Sequence, residues 1–339
     1  MKLTIAIPSY DRNALLHESL RWLLPQLTPD CELLIIDNAS PSPVEESIAA
    51  LLLEHSLVRT RVVRNRANIG GGANILRCFE LCETEWIWLL GDDDRVSLGA
   101  ISGILRDLKK HTDALFLNYS SPCFRRTSGF TTTGTREFAE KLDSFSNALF
   151  MSAGVFNVPR LVPHLRFGFM YSYSWAPQLA LLLAAIGKNG QCVFSADSII
   201  EEYCRAGVEN MWSPIGPLLG KMSLLELPLE DAARRALAKK INAAPSLEYI
   251  VTLLIHQQKT RNVNFDAVYA FDQMTYRLFY FQRSPIHRIR IPLYRILVKY
   301  PTFGLGVIKL IYKLFGWIPI VRRNPLPSFV VVDPAGNRW

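Results

Sequence analysis

Short apolar runs and helical stripes alternate along the first third of the chain. Residues 3–7 are an apolar run ended by Pro8, residues 32–36 are a second closed by Asp37 and Asn38, and 58–63, 85–90 and 114–118 continue the series. Runs of this length, bounded by proline, glycine or acids, predict buried strands. Between them apolar positions recur at helical spacing. Leu15, Leu16, Leu20, Leu23 and Leu24 mark a helix over 13–27, and 43–55, 71–82 and 97–110 follow, with Pro43 opening one and Ser97 capping another. Repeated strand–helix units build a mainly parallel sheet covered on both faces, so the fold class is α/β and doubly wound.

An apolar helix at 176–186 and late strands at 191–195 and 199–204 carry this domain to about residue 213. Pro214, Gly216 and Pro217 then mark a break. Helical spacing returns at 230–243, 247–258 and 266–282, and from 284 the pattern becomes basic and apolar together. The expected organisation is a domain 1–213, a helical region 214–283 and a basic amphipathic tail 284–339.

Composition narrows the class. With 49% apolar and 20% charged residues, 339 residues make a globular chain with one large core and a second, smaller unit. The six cysteines lack paired zinc spacing, and the first ten residues turn polar too early for a signal peptide. Free thiols in a reducing cytoplasm are therefore expected. The net charge of +8 is unevenly placed: residues 273–332 hold ten Lys or Arg and no acid. The amino-terminal part has no surplus to attract nucleic acid. Residues 303–323 are interrupted by Lys309 and Lys313, and with Tyr312, Phe315 and Trp317 they suit the interface of an anionic membrane better than a span. A helix pair packed on the domain, its cations solvated, is the alternative.

In open parallel sheets ligands bind beyond the carboxyl ends of the strands. The residues there are PSYDR (8–12), DNAS (37–40), 65–74 and 91–94, and all four sets are expected to meet on one rim. The last set crowds Asp92, Asp93 and Asp94 at the end of a buried strand, which is costly unless a cation neutralises them. Mg²⁺ or Mn²⁺ carrying a diphosphate fits such a turn; a solvated acidic turn with Asp94 capping the next helix is the alternative. Tyr10 offers a flat face to a base, and Asp37 can accept from a pyrimidine ring N–H, unless they are a core aromatic and a turn former. The glycines of 65–74 open a helix whose amino end favours phosphate. GGG lacks the G-x-G-x-x-G spacing and follows the third strand, which argues against a dinucleotide site.

Together IPSYDR, DNAS, NRANIGGGAN and WIWLLGDDDRV, in this order and spacing, resemble the nucleotide-sugar half of a family 2 glycosyltransferase of the GT-A fold. The likeness is greatest to the bacterial branch acting in O-antigen and other surface-polysaccharide assembly. It covers roughly the first 120 residues and fades by about residue 210. The resemblance implies that Pro8, Tyr10 and Asp37 frame the base with Asn38 beside them, that Asp92 contacts the ribose, and that Asp93 is the main metal ligand with Asp92 near it. Asn68, Gly70 and Asn74 would line the donor loop, with Arg12 near the phosphates. Independently of the resemblance, Arg205 follows the last strand, where it is expected to reach the diphosphate. Gly91 stands where many relatives place the first acid of the motif. The implied reaction is inverting displacement at a sugar's anomeric carbon, from a UDP or dTDP donor if Asp37 reads the base. The implied acceptor is a polyprenyl-diphosphate-linked glycan at the inner face of the cell membrane.

A general base is less apparent. No Asp or Glu lies between 144 and 196, which leaves Asp94, Asp143, His164, Glu201 and Glu202 as alternatives, each with a plain structural role open to it. The aromatic stretch 167–175 suits the apolar face of a sugar or a lipid-linked acceptor. A sugar nucleotidyltransferase would need a glycine-rich turn with Arg and Lys after the first strand, and IPSYDRN is not that. A non-catalytic nucleotide-sugar or lipid-binding protein is kept open by the missing acids.

Overall fold

The computed structural model describes residues 2–55, 58–122, 124–203, 220–241 and 285–315. The chain divides into two compact units, Met1–Met211 with Ser223–Ile241, and Trp212–Met222 with Asn242–Trp339.

The first unit is built from the strand–helix units expected. β1 (Leu3–Ser9), α1 (Asn13–Leu23), β2 (Cys31–Asp37), α2 (Val44–Leu53), β3 (Arg59–Arg64), α3 (Gly71–Leu81) and β4 (Trp86–Leu89) follow in order. β1 and β2 are buried on both faces, as parallel strands under two helix layers must be. β3 lies at the edge, and its arginines discourage further pairing. One of them, Arg61, pairs with Glu32, which is fully buried in β2 and also accepts from Thr4 Oγ1 at 3.3 Å.

Then come β5 (Asp94–Val96), α4 (Ala100–Lys110), β6 (Ala114–Ser120), β7 (Phe130–Thr133), α5 (Gly134–Lys141), α6 (Phe145–Leu149), β8 (Gly154–Asn157), α7 (Val158–Leu161), α8 (Leu165–Met170), α9 (Pro177–Ile186), β9 (Gln191–Ser198) and β10 (Ile200–Tyr203). The eight-stranded sheet has the order β3-β2-β1-β4-β8-β6-β9-β7. β8 runs antiparallel between β4 and β6, and β7 antiparallel to β9; the other pairings are parallel. From β1 the chain builds outward to β3, then returns to the other side of β1 with β4, so the order reverses between β1 and β4.

Three expectations change. The helix predicted from Ser97 starts at Ala100, because Gly99 is left-handed (φ 77°) and Ser97 contributes its carbonyl, not its hydroxyl, to the first turn. Asp94 is not a helix cap; it lies in β5. The strand predicted at 199–204 leaves the large sheet and pairs antiparallel with β5, so that Tyr203 stands opposite Asp94.

The core on one face is a cluster of rings. Phe156 packs edge-on to Phe79 at 5.4 Å and tilted on Phe116 at 4.8 Å. α9 is buried on nearly every side, as its continuous apolar content predicts. Helix Asp231–Lys240 packs against α5 within the same unit. In the second unit helices Pro285–Lys299 and Pro301–Phe315 pack on each other. No helix among the described residues is long and apolar enough to cross a membrane. The predicted break at 214–217, the helices 247–258 and 266–282, and Arg205 lie outside the described residues. The described cysteines Cys31, Cys78, Cys82 and Cys192 are free thiols.

Candidate active site

The acidic motif stands where the strand order reverses, the place an open α/β sheet leaves for a ligand. Ser9 ends β1, and its hydroxyl donates to Asp92 Oδ2 at 2.7 Å. Arg12, at the head of α1, donates from Nη1 to Asp92 Oδ1 at 2.7 Å and from Nη2 to Asp93 Oδ2. From the same helix Ser19 donates to the Asp94 carbonyl at 2.8 Å. On the opposite side, Ser152 donates to Asp94 Oδ2 and accepts from the Gly91 N–H at 2.8 Å, while Trp88 Nε1 holds the Ser152 carbonyl at 2.9 Å. A Cβ at Gly91 would stand 2.5 Å from Asp94 Oδ2. An acidic side chain at this position has no room while Asp94 keeps its bond to Ser152.

These contacts make three adjacent aspartates unlike one another. Asp92 and Asp94 are buried. Burial pushes Asp92 up to about 6 against the pull of Arg12 and Ser9, and pushes Asp94 up to about 7 against the bond from Ser152. Asp93 alone opens to solvent, its side chain 20% exposed, with one oxygen on Arg12. Among the described residues no group of three or more His, Cys, Asp or Glu is arranged to hold a metal ion. One open carboxylate still suits Mg²⁺ or Mn²⁺, hard ions that take one or two protein oxygens and fill the remaining positions with water and phosphate. The donor set therefore fits such an ion arriving with a diphosphate.

The neighbouring loops are sewn together by asparagines. Asn38 Oδ1 accepts from Asn65 Nδ2 at 2.9 Å and from the Ile69 N–H at 3.0 Å, and its amide donates to Asn68 at 2.9 Å. Asn65 also donates to Asn74 at 2.8 Å, whose own amide reaches the Ile36 carbonyl at 3.2 Å. Gly70 caps α3 with φ 84°, a conformation that costs other residues, and its N–H bonds Asn68 at 2.9 Å. Gly72 passes so close to the Ser172 carbonyl that a Cβ would lie 1.9 Å from it. That contact brings the aromatic stretch 167–175 against the amino end of α3.

Asp37 is buried and accepts from the Ser40 N–H at 2.8 Å, the Val44 N–H at 3.3 Å and Arg64. Burial raises its pKa, but these bonds outweigh it and hold the carboxyl below its usual value. It ties the turn 37–44 to β3 beneath the rim. Tyr10 and Asn68 are exposed on that rim, with Pro8 half-buried behind Tyr10. Main-chain bonds Asn38 N–H to Ser9 (2.9 Å) and Asn65 N–H to Asp37 (2.8 Å) lock the ends of β1, β2 and β3 side by side. The structure thus brings together all four polar sets.

The base candidates separate. Asp94 is enclosed. Asp143 is bound to Arg126, whose side chain is almost wholly buried; Nε donates to Asp143 Oδ2 at 2.6 Å, and Nη2 also reaches Asn118. His164 stands half-buried at the head of α8. Glu201 lies on β10 with Arg95 at 3.2 Å, and Arg95 stacks over Trp22 at 3.5 Å. Glu202 occupies the next position of that strand, opposite Arg95 in the ladder to the acidic motif. Ser9, Asn65, Arg126 and Ser152 were not singled out in the sequence. Ser9 lies inside a motif and Asn65 begins one, but nothing in the local sequence marks Ser152 or Arg126.

Residues 4–159 match the pattern of glycosyl transferase family 2. An uncharacterised glycosyltransferase of Mycoplasma pneumoniae, the MG060 homolog, is 24% identical over 128 residues, which are 37% of this chain and 43% of that protein. The chain thus matches less than half the length of this curated relative. Among solved structures, S. aureus TarS 1-349 in complex with UDP-GlcNAc superposes with a TM-score of 0.58 at 14% identity, covering 90% of this chain and 92% of that one. The mannosyltransferase PcManGT of Pyrobaculum calidifontis, in complex with GDP-Man and Mn²⁺, gives 0.52 at 12% identity over 88% and 86%. At these identities the superpositions speak for a shared fold, and the family likeness is carried by the sequence: residues 4–159 form a glycosyl transferase family 2 domain by their match to that family's pattern.

Proposed function

We propose that the chain is an inverting glycosyltransferase that moves a sugar from a nucleoside-diphosphate donor to a lipid-linked glycan during bacterial surface-polysaccharide assembly. The observation that carries this reading is the meeting of Ser9, Arg12, Asp92 and Asp93 at one point of the rim, beside the Asn38–Asn68 loop pair. The base lies on Tyr10 and Pro8, with Asp37 beneath them; exchange of one of its present contacts to Ser40, Val44 or Arg64 for the ring N–H of the base favours UDP or dTDP. Asp92 takes the ribose, and Asp93 with Asp92 holds Mn²⁺ or Mg²⁺. Asn68, Gly70 and Asn74 shape the donor loop, so that the diphosphate lies on the amino end of α3 and within reach of Arg12.

When bound, the divalent cation neutralises the charge that develops on the departing nucleoside diphosphate. The acceptor hydroxyl attacks the anomeric carbon from the face opposite the leaving group and gives its proton to a carboxylate. Glu201 is the favoured base, because β10 is laddered to the acidic motif and its ion pair with Arg95 is open to solvent, whereas Asp143 is held by the buried Arg126; Glu202, next on the strand, is the alternative. The TarS complex with UDP-GlcNAc and the PcManGT complex with GDP-Man and Mn²⁺ support a nucleotide-sugar donor. Transfer or hydrolysis of nucleotide sugars with Mn²⁺ tests the reading. Asp93→Ala is expected to lose at least about a hundredfold in rate, the scale of a lost transition-state charge partner. Activity indifferent to Asp93→Ala and to chelator overturns the metal role; donor binding without turnover favours the non-catalytic alternative.

The second unit supports attachment to the inner face of the membrane. Leu293, Ile296, Phe303, Leu310 and Leu314 on its two described helices, and Tyr300 between them, are exposed, with Arg295, Lys299 and Lys313 exposed among them. Apolar side chains rimmed by cations suit an anionic lipid surface, where a polyprenyl-diphosphate-linked acceptor is confined.

A further inference from the structure

The side chain of Arg12 occupies the position of a counter-ion. Its two terminal nitrogens span Asp92 and Asp93, the second oxygen of Asp92 is taken by Ser9, and Asp94 is turned inward to Ser152. The guanidinium thus covers the only acid of the motif that opens to solvent. It is itself only 12% exposed, and its buried Nε makes no hydrogen bond. Arg12 is therefore held through its two carboxylate contacts, on a segment that reaches the rim through the exposed Asp11, strained at φ 54° and fixed by Ser40. A guanidinium binds a phosphate as readily as a carboxylate, in the same forked geometry.

Resting on the donor reading above, we infer that Arg12 competes with the divalent cation for Asp93, and that the donor's diphosphate relieves this competition by drawing the guanidinium to itself. In the free protein Arg12 supplies one positive charge to Asp92 and Asp93 and keeps a divalent ion weakly bound. When a nucleoside diphosphate enters, its oxygens take the fork of Arg12, and Asp93 is released to the ion that accompanies the diphosphate. Arg12 is a positioning residue in this scheme: it makes metal binding depend on the donor and keeps the site closed to free cations.

Mn²⁺ binding to the full chain, read from the paramagnetic resonance signal of the free ion, tests this without any measurement of activity. Without nucleotide, Arg12→Gln is expected to bind Mn²⁺ roughly tenfold more tightly than wild type, with Arg12→Lys between, since an ammonium lacks the fork that spans both acids. With saturating UDP the order reverses and wild type binds Mn²⁺ most tightly. Melting curves of each variant verify that it is folded, and Arg12→Lys carries the comparison if Arg12→Gln is not. Equal or weaker Mn²⁺ binding by the folded variants without UDP overturns the competition. Tighter binding that does not reverse with UDP overturns the transfer of Arg12 to the diphosphate. Failure of UDP to bind any form counts against the donor reading, while the nucleotide-free comparison still decides the competition.

Discussion

Asp94 shows what crowding three carboxylates at a strand end entails for a single residue. Buried and raised to about 7, it favours the folded state more when protonated than when charged. The folded pKa lies above the unfolded value, so this contribution is full below about pH 4 and is lost as pH rises through about 7. Asp94→Asn keeps a partner for Ser152 and removes the titration. Between pH 5 and 8 the metal-free wild type is expected to lose ~2 kcal/mol relative to this variant, measured by urea unfolding at each pH. Parallel pH profiles would show that Asp94 is ionised at no cost. The DDD run marks this place in the sequence as acidic and cation-seeking, but not which acid is open. That is decided by Ser9, Ser19 and Ser152, which come from up to 83 residues away; Ser9 lies in a motif that does not announce this contact, and Ser19 and Ser152 carry no local signature.

Among the elements, what was legible followed burial pattern and length. β1, β2 and β6 are seven-residue runs buried along almost their whole length, and they stand out because both faces of a central parallel strand must be apolar. β5, β7 and β8 have three or four residues, too few to show a period, and their pairing depends on partners distant in the chain. The ladder of β10 on β5, which brings Glu201 and Glu202 to the acidic motif, was illegible for the same reason. Asp143 likewise looked like an available base until Arg126, 17 residues away, was found bound to it. Removing the charge of Asp143 leaves a buried guanidinium half-paired, so Asp143→Asn is expected to cost ~2 kcal/mol of stability with donor affinity retained. Glu201→Gln, at an exposed position paired with Arg95, should instead leave the melting temperature nearly in place and lower transfer. Unaltered stability of Asp143→Asn with transfer abolished would return Asp143 to the role of base.

On the scale of the whole molecule the two units differ in the surfaces they present. The sheet unit presents a rim assembled from four loops, and the convergence of those loops was foreseeable because a parallel sheet sends every strand's carboxyl end to one edge. The second unit carries the surplus of cations and an exposed apolar row. The full chain is expected to float with vesicles containing anionic lipid and to stop floating when 284–339 are removed; equal flotation of both forms would exclude this anchor.

The proposed function stands on a donor gripped at the reversal of the strand order by a cation on Asp93. Thermal shift of the full chain with UDP-, dTDP-, GDP- and CDP-sugars, with and without Mn²⁺, reports it directly, because a ligand raises the melting temperature according to its concentration relative to Kd. The expected result is a Mn²⁺-dependent rise with UDP- or dTDP-sugars that is lost in Asp93→Ala. A rise that persists unaltered in Asp93→Ala, or none with any of the four nucleotides, would contradict it.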